Sequence, residues 1–364
     1  MVELRDGRVT GVGVARPGAV ELTVEVDGVE APALAYPDLV GPVGVGDQVL
    51  LNTGAVTLGL GTGGFHLVVA VNGAAPSEIG HGGRVMKARY TPLQVPVPSV
   101  EETDRDALEG SVGLMGTPVV AAPLHSMIAH IAAGAKVAGG ERVVYVMTDG
   151  ASLPGAFSRL IPRLRDAGLL DGFITCGQAF GGELETVTIW TGMLAAKELL
   201  DADVIVVADG PGNLGTDTRW GASALTSGNS LNAAEALGGR PIAALRVSFA
   251  DERPRHHGVS HHSITILSDI CGSQVDVAVP TLEAPERQEV WAALRDAQLE
   301  RKHRLIEVLG WPAVHRLEEA GIDVTSMGRG LEDDPIFFLA AGGAGILAGR
   351  MAAGSKAWQR AVED

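Results

Sequence analysis

The sequence predicts an α/β protein with an N-terminal all-β domain and a mostly parallel sheet covered by helices, Rossmann-like but not a conventional dinucleotide fold. The first observation is the strict alternation of apolar and polar residues in Val20–Val26, which is the period of a half-buried strand. The second is a change near residue 117, where apolar runs rich in Val and Ile begin to alternate with helical stretches. Strands that are apolar on both faces are typical of a parallel sheet between layers of helices.

Changes in pattern divide the 364 residues into three predicted segments. Residues 1–72 contain short strands separated by Gly-rich turns and are predicted to form a small β-barrel or sandwich. Residues 73–116 begin with Gly, Ala, Pro and Ser and are predicted to be a linker and an extended connection. Residues 117–364 are predicted to form the α/β domain with its C-terminal helices.

The elements of the α/β domain can be predicted from the length and spacing of the apolar runs. The predicted strands are Pro118–Leu124, Val143–Thr148, Gly172–Cys176, Val204–Ala208, Ile242–Phe249 and Val275–Val279. The predicted helices between them are His125–Ala138, Ala156–Ala167, Thr188–Leu200 and Ala222–Leu237. Residues 281–309 are predicted to form one further, charged helix.

The charge balance and the cysteines exclude several classes of protein. Acidic residues outnumber basic ones by 44 to 28, which gives a net charge of −16 with neutral histidines. A general basic face for nucleic acid is therefore excluded, and no nucleic-acid partner is expected. Cys176 and Cys271 lie in apolar runs, outside any CxxC pair, so a disulfide framework or four-cysteine zinc site is excluded. Two reduced thiols and an N-terminus without a secretory pattern predict a cytoplasmic location.

One apolar stretch, Ile336–Met351, resembles a membrane span in composition. It is short for a span, follows an acidic run and carries Arg350. We therefore predict a buried or subunit-interface helix, no membrane, and a homo-oligomer. The spacing of Gly345 and Gly349 indicates close helix packing in such a chain.

Polar side chains follow the predicted strands at the edge where open parallel sheets bind ligands. His125 follows the first strand, Asp149 the second and Asp209 the fourth. His125 also opens a helix, whose N-terminus would favour the neutral imidazole of a general acid or base. Asp149 and Asp209 would hold a metal or orient a histidine, although polar loop residues also serve to cap helices.

The densest group of titratable residues is a run of histidines. Four of the ten histidines lie between residues 256 and 262. If this segment is helical, His257 and His261 share one face and could bind a divalent metal together with Asp209. His262 could then transfer a proton in a reaction at the metal.

The same segment supports two other interpretations. Arg253 and Arg255 could fix a phosphate or carboxylate beside histidines that act in acid–base chemistry. Alternatively, the histidines could cap turns or bind backbone groups without any ligand. Pro254 and Gly258 argue against one regular helix, which weakens the metal interpretation.

A glycine motif follows the fourth predicted strand. The spacing of Gly210, Gly212 and Gly215 matches a dinucleotide fingerprint. A proline inside the turn and the absence of an apolar helix start after it disfavour NAD. The motif favours a loop whose backbone N–H groups face an anion, with Asn213 and Thr216 as further ligand contacts. A plain turn remains the alternative.

Several longer stretches of the sequence are distinctive: Leu51–Thr53 with Leu58–Gly64, Met86–Gln94, Ala179–Gly182, Gly210–Gly212 and Gly258–Ser263. Together they resemble an uncharacterised, largely actinobacterial family known as domain of unknown function 3866. The resemblance extends over nearly the whole chain. It implies no activity, so the functional hypothesis depends on the residues themselves.

These observations predict an enzyme that acts on a small anionic metabolite at the carboxyl edge of a parallel sheet, and metal-assisted or acid–base hydrolysis is the favoured reaction. The cofactor is left open between a divalent metal and none. The alternative function is a non-catalytic ligand-binding or self-assembling protein, in which the β-domain and the apolar C-terminal helix make subunit contacts.

Overall fold

The structure is a computed structural model that describes residues 2–60, 63–73 and 83–363, with side chains up to residue 355. Within these ranges, one compact unit comprises residues up to 98 together with 156–162, and a second comprises 99–155 and the residues from 163 onward. Residues 74–82 of the predicted linker lie outside the described residues, as do Gly61 and Thr62 of the quoted phrases.

The first unit contains a closed barrel, which confirms the predicted all-β region at the N-terminus. Its strands are β1 (Leu4–Arg16), β2 (Ala19–Val26), β3 (Val29–Ala35), β4 (Gln48–Asn52) and β5 (His66–Val71). They are ordered β1-β2-β3-β5-β4, and only the β3–β5 pair of this barrel is parallel. Alternate apolar residues such as Leu22, Val24 and Val26 point inward and fill the barrel.

Short elements complete this unit. Two single-turn helices, α1 and α2, lie between barrel strands, and a hairpin of β6 and β7 follows the barrel. Their bounds are Pro37–Val40 for α1, Gly54–Thr57 for α2, Val85–Lys87 for β6 and Val95–Val97 for β7.

The second unit is built on an eight-stranded, wholly parallel sheet in the order β11-β10-β9-β12-β8-β13-β16-β17. Its strands are β8 (Pro118–Ala122), β9 (Val143–Thr148), β10 (Gly172–Thr175), β11 (Leu184–Glu185), β12 (Val204–Asp209), β13 (Arg240–Ala244), β16 (Asp276–Pro280) and β17 (Arg304–Val308). Two further short strands, β14 (Val247–Ser248) and β15 (Gly258–Val259), pair with each other in antiparallel fashion. The predicted α/β class is therefore confirmed.

Helices cover the sheet because its central strands are buried along their whole length. The helices are α3 (Val100–Thr103), α4 (Arg105–Glu109), α5 (Ile128–Val137), α6 (Leu160–Asp166), α7 (Ile189–Glu198), α8 (Thr226–Ala236), α9 (His261–Thr265), α10 (Glu286–Asp296), α11 (Trp311–Glu319) and α12 (Pro335–Glu363). Helix α5 packs against α11 and α12, and α7 packs against α8. Val119, Val144 and Ile205 of the sheet belong to the same apolar core as α7 and α8.

The strand order creates a switch point between the adjacent strands β8 and β12. From β8 the chain proceeds to β9 on one side of the sheet, whereas from β12 it proceeds to β13 on the other. Crossovers that leave in opposite directions open a crevice at the carboxyl ends of these two strands, where ligands bind in open α/β sheets. His125 follows β8 directly, and Asp209 is the last residue of β12.

The structure corrects two of the predicted elements. The helix predicted over residues 281–309 is wrong in its second half, because α10 ends at Asp296 and residues 304–308 form the edge strand β17. An edge strand has one side open to solvent and therefore tolerates charged residues. The charged residues of β17 made this segment look like part of an exposed helix. The strand predicted over Ile242–Phe249 is split, because β13 ends at Ala244 and the chain turns to form β14.

The apolar C-terminal stretch forms the first part of α12. Its residues Pro335–Ser355 are long and apolar enough to cross a membrane by length and composition, with a mean hydropathy of 1.6. Most of this stretch, 78% of its most apolar window, is buried inside the fold, as in the core helix of a globular protein. Methyl groups added at Gly345 or Gly349 would overlap backbone carbonyl oxygens of α5, so the two helices touch along their backbones.

Candidate functional site

His125, Tyr145 and Asp209 are linked at the switch point. The His125 Nδ1 atom lies 3.2 Å from the Tyr145 hydroxyl, which donates a hydrogen bond of 3.0 Å to the Asp209 carbonyl oxygen. Burial lowers the pKa of His125 to about 4, so its ring is neutral at pH 7. His125 and Asp209, both expected at the carboxyl edge of the sheet, are thus linked through Tyr145, and the His125 ring is buried.

The Asp209 side chain holds the loops at this edge together. Its carboxylate accepts hydrogen bonds from the Thr148 hydroxyl, from the Thr226 hydroxyl at 3.1 Å and from the Asn213 amide at 3.1 Å. Burial raises the pKa of Asp209, and the hydrogen bonds from Thr148 and Thr226 oppose that effect. A carboxylate bound by so many donors has little capacity left for a metal. Asp149 serves similarly, because its carboxylate accepts the Gln178 N–H at 2.8 Å.

The predicted ligand loop after β12 forms a small hairpin, which we call the flap (residues 215–222). Gly210 and Gly212 lead the chain out of the sheet, and Gly212 adopts a positive φ of 93°. The backbone N–H of Thr216 donates to the Gly221 carbonyl at 2.8 Å, which closes the hairpin. A Cβ atom at Gly215 would lie 3.7 Å from the His262 ring, so the flap lies beside the histidines.

Three histidines converge to form what we call the histidine cluster: His256, His261 and His262. One ring nitrogen of each lies within 4.8 Å of the corresponding atoms of the other two. The ring centroids of His261 and His262 are 4.0 Å apart, and each lies 5.1 Å from that of His256. Within the described part of the chain, the buried Nε2 atoms of His261 and His262 have no hydrogen-bond partner.

Short elements bring these rings together. His256 ends a single 3₁₀ turn that begins at Pro254, and Ser260 caps the N-terminus of α9, which carries His261 and His262. Gly258 has a positive φ of 66° and allows the sharp turn between the two elements. The Ser260 hydroxyl lies 2.9 Å from Nδ1 of His256 and accepts the His262 N–H at 3.3 Å.

All three imidazoles favour the neutral state that a metal ligand requires. Burial, with smaller contributions from neighbouring charges that include arginines, lowers the pKa of His256 to about 3 and that of His262 to about 4. The pKa of His261 is lowered by burial and then by Arg255 and Arg246. Neutral rings with unpaired nitrogens and a fixing hydroxyl are the usual elements of a metal site.

Arginines surround the histidine cluster and share one buried carboxylate. Asp251 accepts hydrogen bonds from Arg253 at 2.7 and 2.8 Å and from Arg246 at 3.1 Å, and Arg329 lies 3.5 Å away. The Arg253 guanidinium group holds the pKa of the Asp251 carboxyl well below its ordinary value. Arg255 instead pairs with Asp217 of the flap at 2.6 Å.

The residues predicted as metal ligands do not come together as proposed. His261 lies in the histidine cluster, but His257 is half-exposed and faces Phe249 and Glu289, with Nε2 3.8 Å from the Glu289 carboxylate. Asp209 is bound by its hydroxyl and amide donors. The segment from 254 to 265 consists of a 3₁₀ turn, a strand and a short helix, so the helical spacing of His257 and His261 does not apply.

His256 is the member of the cluster that the sequence analysis did not select. Pro254 and Gly258 were the available signals, because Pro254 begins the 3₁₀ turn that His256 ends and Gly258, with its positive φ, separates that turn from α9. Of the predicted proton-transfer residues, His262 belongs to the cluster, whereas His125 and Asp149 hold the strand ends. Arg246 also emerges only from the structure, as does the contact of Ser260 with His256.

The buried His125 should make stability depend on pH. Its pKa of about 4 in the fold is below the ordinary 6.5, so the unfolded chain binds a proton first as the pH falls. Its contribution is complete above pH 6.5 and is lost between pH 6.5 and 4, by about 2.5 kcal/mol at pH 4.5. We expect His125→Asn to show that much less loss between pH 7.5 and 4.5 in urea denaturation. The same change at exposed His315 should leave the loss unaltered, and equal losses in both variants would contradict the assignment.

Comparison with known proteins identifies a family without assigning a function. A search of curated proteins finds no match to this chain. The sequence model of one family, described as "Protein of unknown function (DUF3866)", matches residues 32–345, a range that includes every residue of the site described above. The resemblance found in the sequence phrases is thus confirmed, and the chain belongs to the DUF3866 family.

Proposed function

We propose that this protein is a cytoplasmic, metal-dependent hydrolase of a small anionic metabolite, with the histidine cluster as its metal site. The observation that carries the proposal is the convergence of His256, His261 and His262, whose ligand atoms lie within 4.8 Å of one another. Two of these rings have buried Nε2 atoms that lack a partner among the described residues. Such atoms cost about 1–3 kcal/mol each unless something binds them.

A set of three neutral imidazoles suits a catalytic metal better than a structural one. Structural zinc sites close their coordination with four protein ligands, whereas catalytic sites leave a position for water or substrate. Imidazole ligands suit zinc, copper, iron and nickel, and such a metal makes bound water a nucleophile near neutral pH. Ser260 supports this role because its hydroxyl oxygen can accept a hydrogen bond from the Nδ1–H of His256, in the tautomer that leaves Nε2 unprotonated and able to bind a metal.

The charges around the cluster favour an anionic substrate. Arg246, Arg253 and Arg255 approach the histidines and help to lower their pKa values. Within the part of the chain that the structure describes, these three arginines form ion pairs only with Asp251 and with the exposed Asp217. Positive charge that disfavours protonated histidine also attracts a phosphate or carboxylate to the same place.

In this proposal, the residues at the switch point do not bind the metal or the substrate but hold the surrounding backbone in place. His125 and Asp209 are both buried. His125 contacts Tyr145 of β9, and Asp209 binds Thr148 of β9 and Thr226 of α8, so both act as positioning residues that hold the strand ends. The Asn213 side-chain amide connects the loops after β8 and β12, because it donates hydrogen bonds to the Pro123 carbonyl oxygen and to the Asp209 carboxylate. Two buried cysteines that form no disulfide support the cytoplasmic location.

Elemental analysis of untagged protein tests the proposal. We expect close to one equivalent of zinc or another transition metal, and hydrolysis of aryl phosphates or carboxylic esters that a chelator abolishes and the same metal restores. The double variant His256→Ala/His262→Ala should lack both metal and activity. Wild-type protein that neither copurifies with metal nor binds added zinc would overturn the proposal and favour a non-catalytic ligand-binding protein.

A further inference from the structure

The flap is mostly exposed and lies beside the histidine cluster. We infer that the flap is a lid over this cluster, held shut by two surface ion pairs, and that a metal ion and a substrate reach the imidazoles when it opens. The inference rests on the proposed function for the identity of what enters, whereas the opening itself can be measured on the histidines.

The unpaired nitrogens of the cluster are closed off from solvent. Nε2 of His261 and Nε2 of His262 are inaccessible, and His256 is buried as a whole. A metal ion needs a path to its ligands, and a water or substrate bound to that metal needs room beside them. Some part of the surrounding structure must therefore move before the site can be used.

The flap contacts the turn that carries His256. Oδ1 of the flap residue Asp217 lies 2.6 Å from Nη1 of Arg255, the residue directly before His256. At the base of the flap, a Cβ atom at Gly215 would lie 3.7 Å from the His262 ring. These two contacts place the flap directly against the cluster.

The flap is also bonded to the helix that carries His261 and His262. Nε of Arg219 donates a hydrogen bond of 3.4 Å to the hydroxyl of Thr265, the last residue of α9. Nη2 of Arg219 pairs with Asp269, in the turn that follows α9. The flap therefore bridges the two elements that bear the cluster, and this bridge must be released before the histidines can be reached from the side of the flap.

Both ion pairs are exposed and can be broken easily. The side chain of Asp217 is 86% exposed and that of Arg219 is 54% exposed, so both groups are solvated when the pairs separate. Exposed ion pairs contribute little to stability, and salt screens them. The closed state of the flap should therefore be only moderately favoured, and it should weaken as the ionic strength rises.

The flap is built to pivot as one piece. Its base is anchored, because the Ser223 N–H donates to the Leu214 carbonyl oxygen at 2.9 Å. The hairpin above this base is closed by the Thr216–Gly221 hydrogen bond of 2.8 Å, which does not involve the cluster. Gly215 and Gly221 lie where the two arms leave the base, and small residues at such positions absorb changes of φ and ψ. Opening can thus leave the ends of the sheet strands in place.

Ethoxycarbonylation by diethyl pyrocarbonate tests this inference on the full-length, chelator-treated protein, with mass spectrometry to assign each modified histidine. A histidine under a closed flap reacts at a rate proportional to the open fraction, so we expect His262 to react at least about tenfold more slowly than the exposed His315. Asp217→Asn and Arg219→Gln should each speed the reaction of His262 about two- to fivefold relative to His315. Sodium chloride at about 1 M should have a similar effect on the wild type and little effect on the double variant.

Arg5→Gln is the matched control, since it removes an arginine from an exposed ion pair in the barrel unit, where Nη2 of Arg5 lies 3.0 Å from Oε1 of Glu3. This variant should leave the rate at His262 unchanged. Equal rates at His262 in the wild type and both flap variants, or an equal acceleration in Arg5→Gln, would overturn the inference. Zinc content reports separately on the proposed function: a protein that binds no zinc but shows the expected rates has lost the hydrolase proposal and keeps the lid.

Discussion

His261→Ala will lower the zinc affinity of this protein roughly a hundredfold or more, whereas His257→Ala will leave it unchanged. The two histidines are four residues apart and differ in what they face. The His261 ring lies 4.0 Å from that of His262, between centroids, and its Nε2 lacks a partner among the described residues. His257 lies at the surface against Phe249 and Glu289. Comparing the two variants therefore shows whether zinc binds at the histidine cluster specifically or at any histidine of this His-rich segment.

Equilibrium competition with a chromogenic zinc chelator measures both affinities. A loss of fold is not expected in His261→Ala, because the ring is only partly buried and its removal eliminates an unpaired buried nitrogen. Thermal melting of the metal-free, chelator-treated proteins tests whether His261→Ala remains folded. Equal zinc affinities in the two variants would contradict the metal site, and a loss restricted to His257→Ala would restore the pairing first expected from helical spacing.

Gly345→Ala will destabilise the fold by about 3 kcal/mol, at the upper end of the range for overpacking a core. A methyl group at this position would overlap the carbonyl oxygen of Ile131, together with the backbone carbons of that residue. Backbone atoms inside a helix cannot move aside as a flexible side chain can, so α12 must shift away from α5. This shift of α12 would loosen the packing near the carboxyl end of β8. His125 lies there, between β8 and the start of α5.

Gly354→Ala is the matched control in the same helix. A methyl group there meets no atom within 4 Å, and alanine is the better helix former by about 1 kcal/mol, so this variant should gain stability. The midpoints of urea denaturation measure the two changes. Shifts in the same direction would show that helix propensity, and not backbone contact between α5 and α12, determines the outcome.

Much of the α/β core could be predicted because its pattern is local. The Val- and Ile-rich runs of β8, β9 and β12 are apolar on both faces, and burial on both faces is what the structure shows. The edge strand β17 could not be predicted in this way, because one of its sides is open and its charged residues resemble an exposed helix. Helix starts were also displaced: α6 begins at Leu160, where Ser158 caps it through hydrogen bonds of 3.2 and 3.3 Å.

The sequence predicted where the candidate site lies, but it did not predict which residues form it. Polar residues after buried strands indicate the carboxyl edge of the sheet, and His125 and Asp209 do lie together there. Whether a polar residue is a ligand or a support depends on its partners, which come from distant parts of the chain. Asp209 proved to be a support because Thr148 and Thr226, from β9 and α8, bind its carboxylate.

The amino-acid order alone determines which segments are buried on both faces, and hence the sheet, its helices and the family to which the chain belongs. It also places four histidines and two arginines in one short segment. Only the tertiary structure selects His256 over His257, because the choice depends on a 3₁₀ turn, a left-handed glycine and a cap on α9. A backbone turn at one residue decides which histidine ring faces inward. Such turns depend on how the segment packs against β14 and the flap, and no periodic pattern in the sequence indicates them.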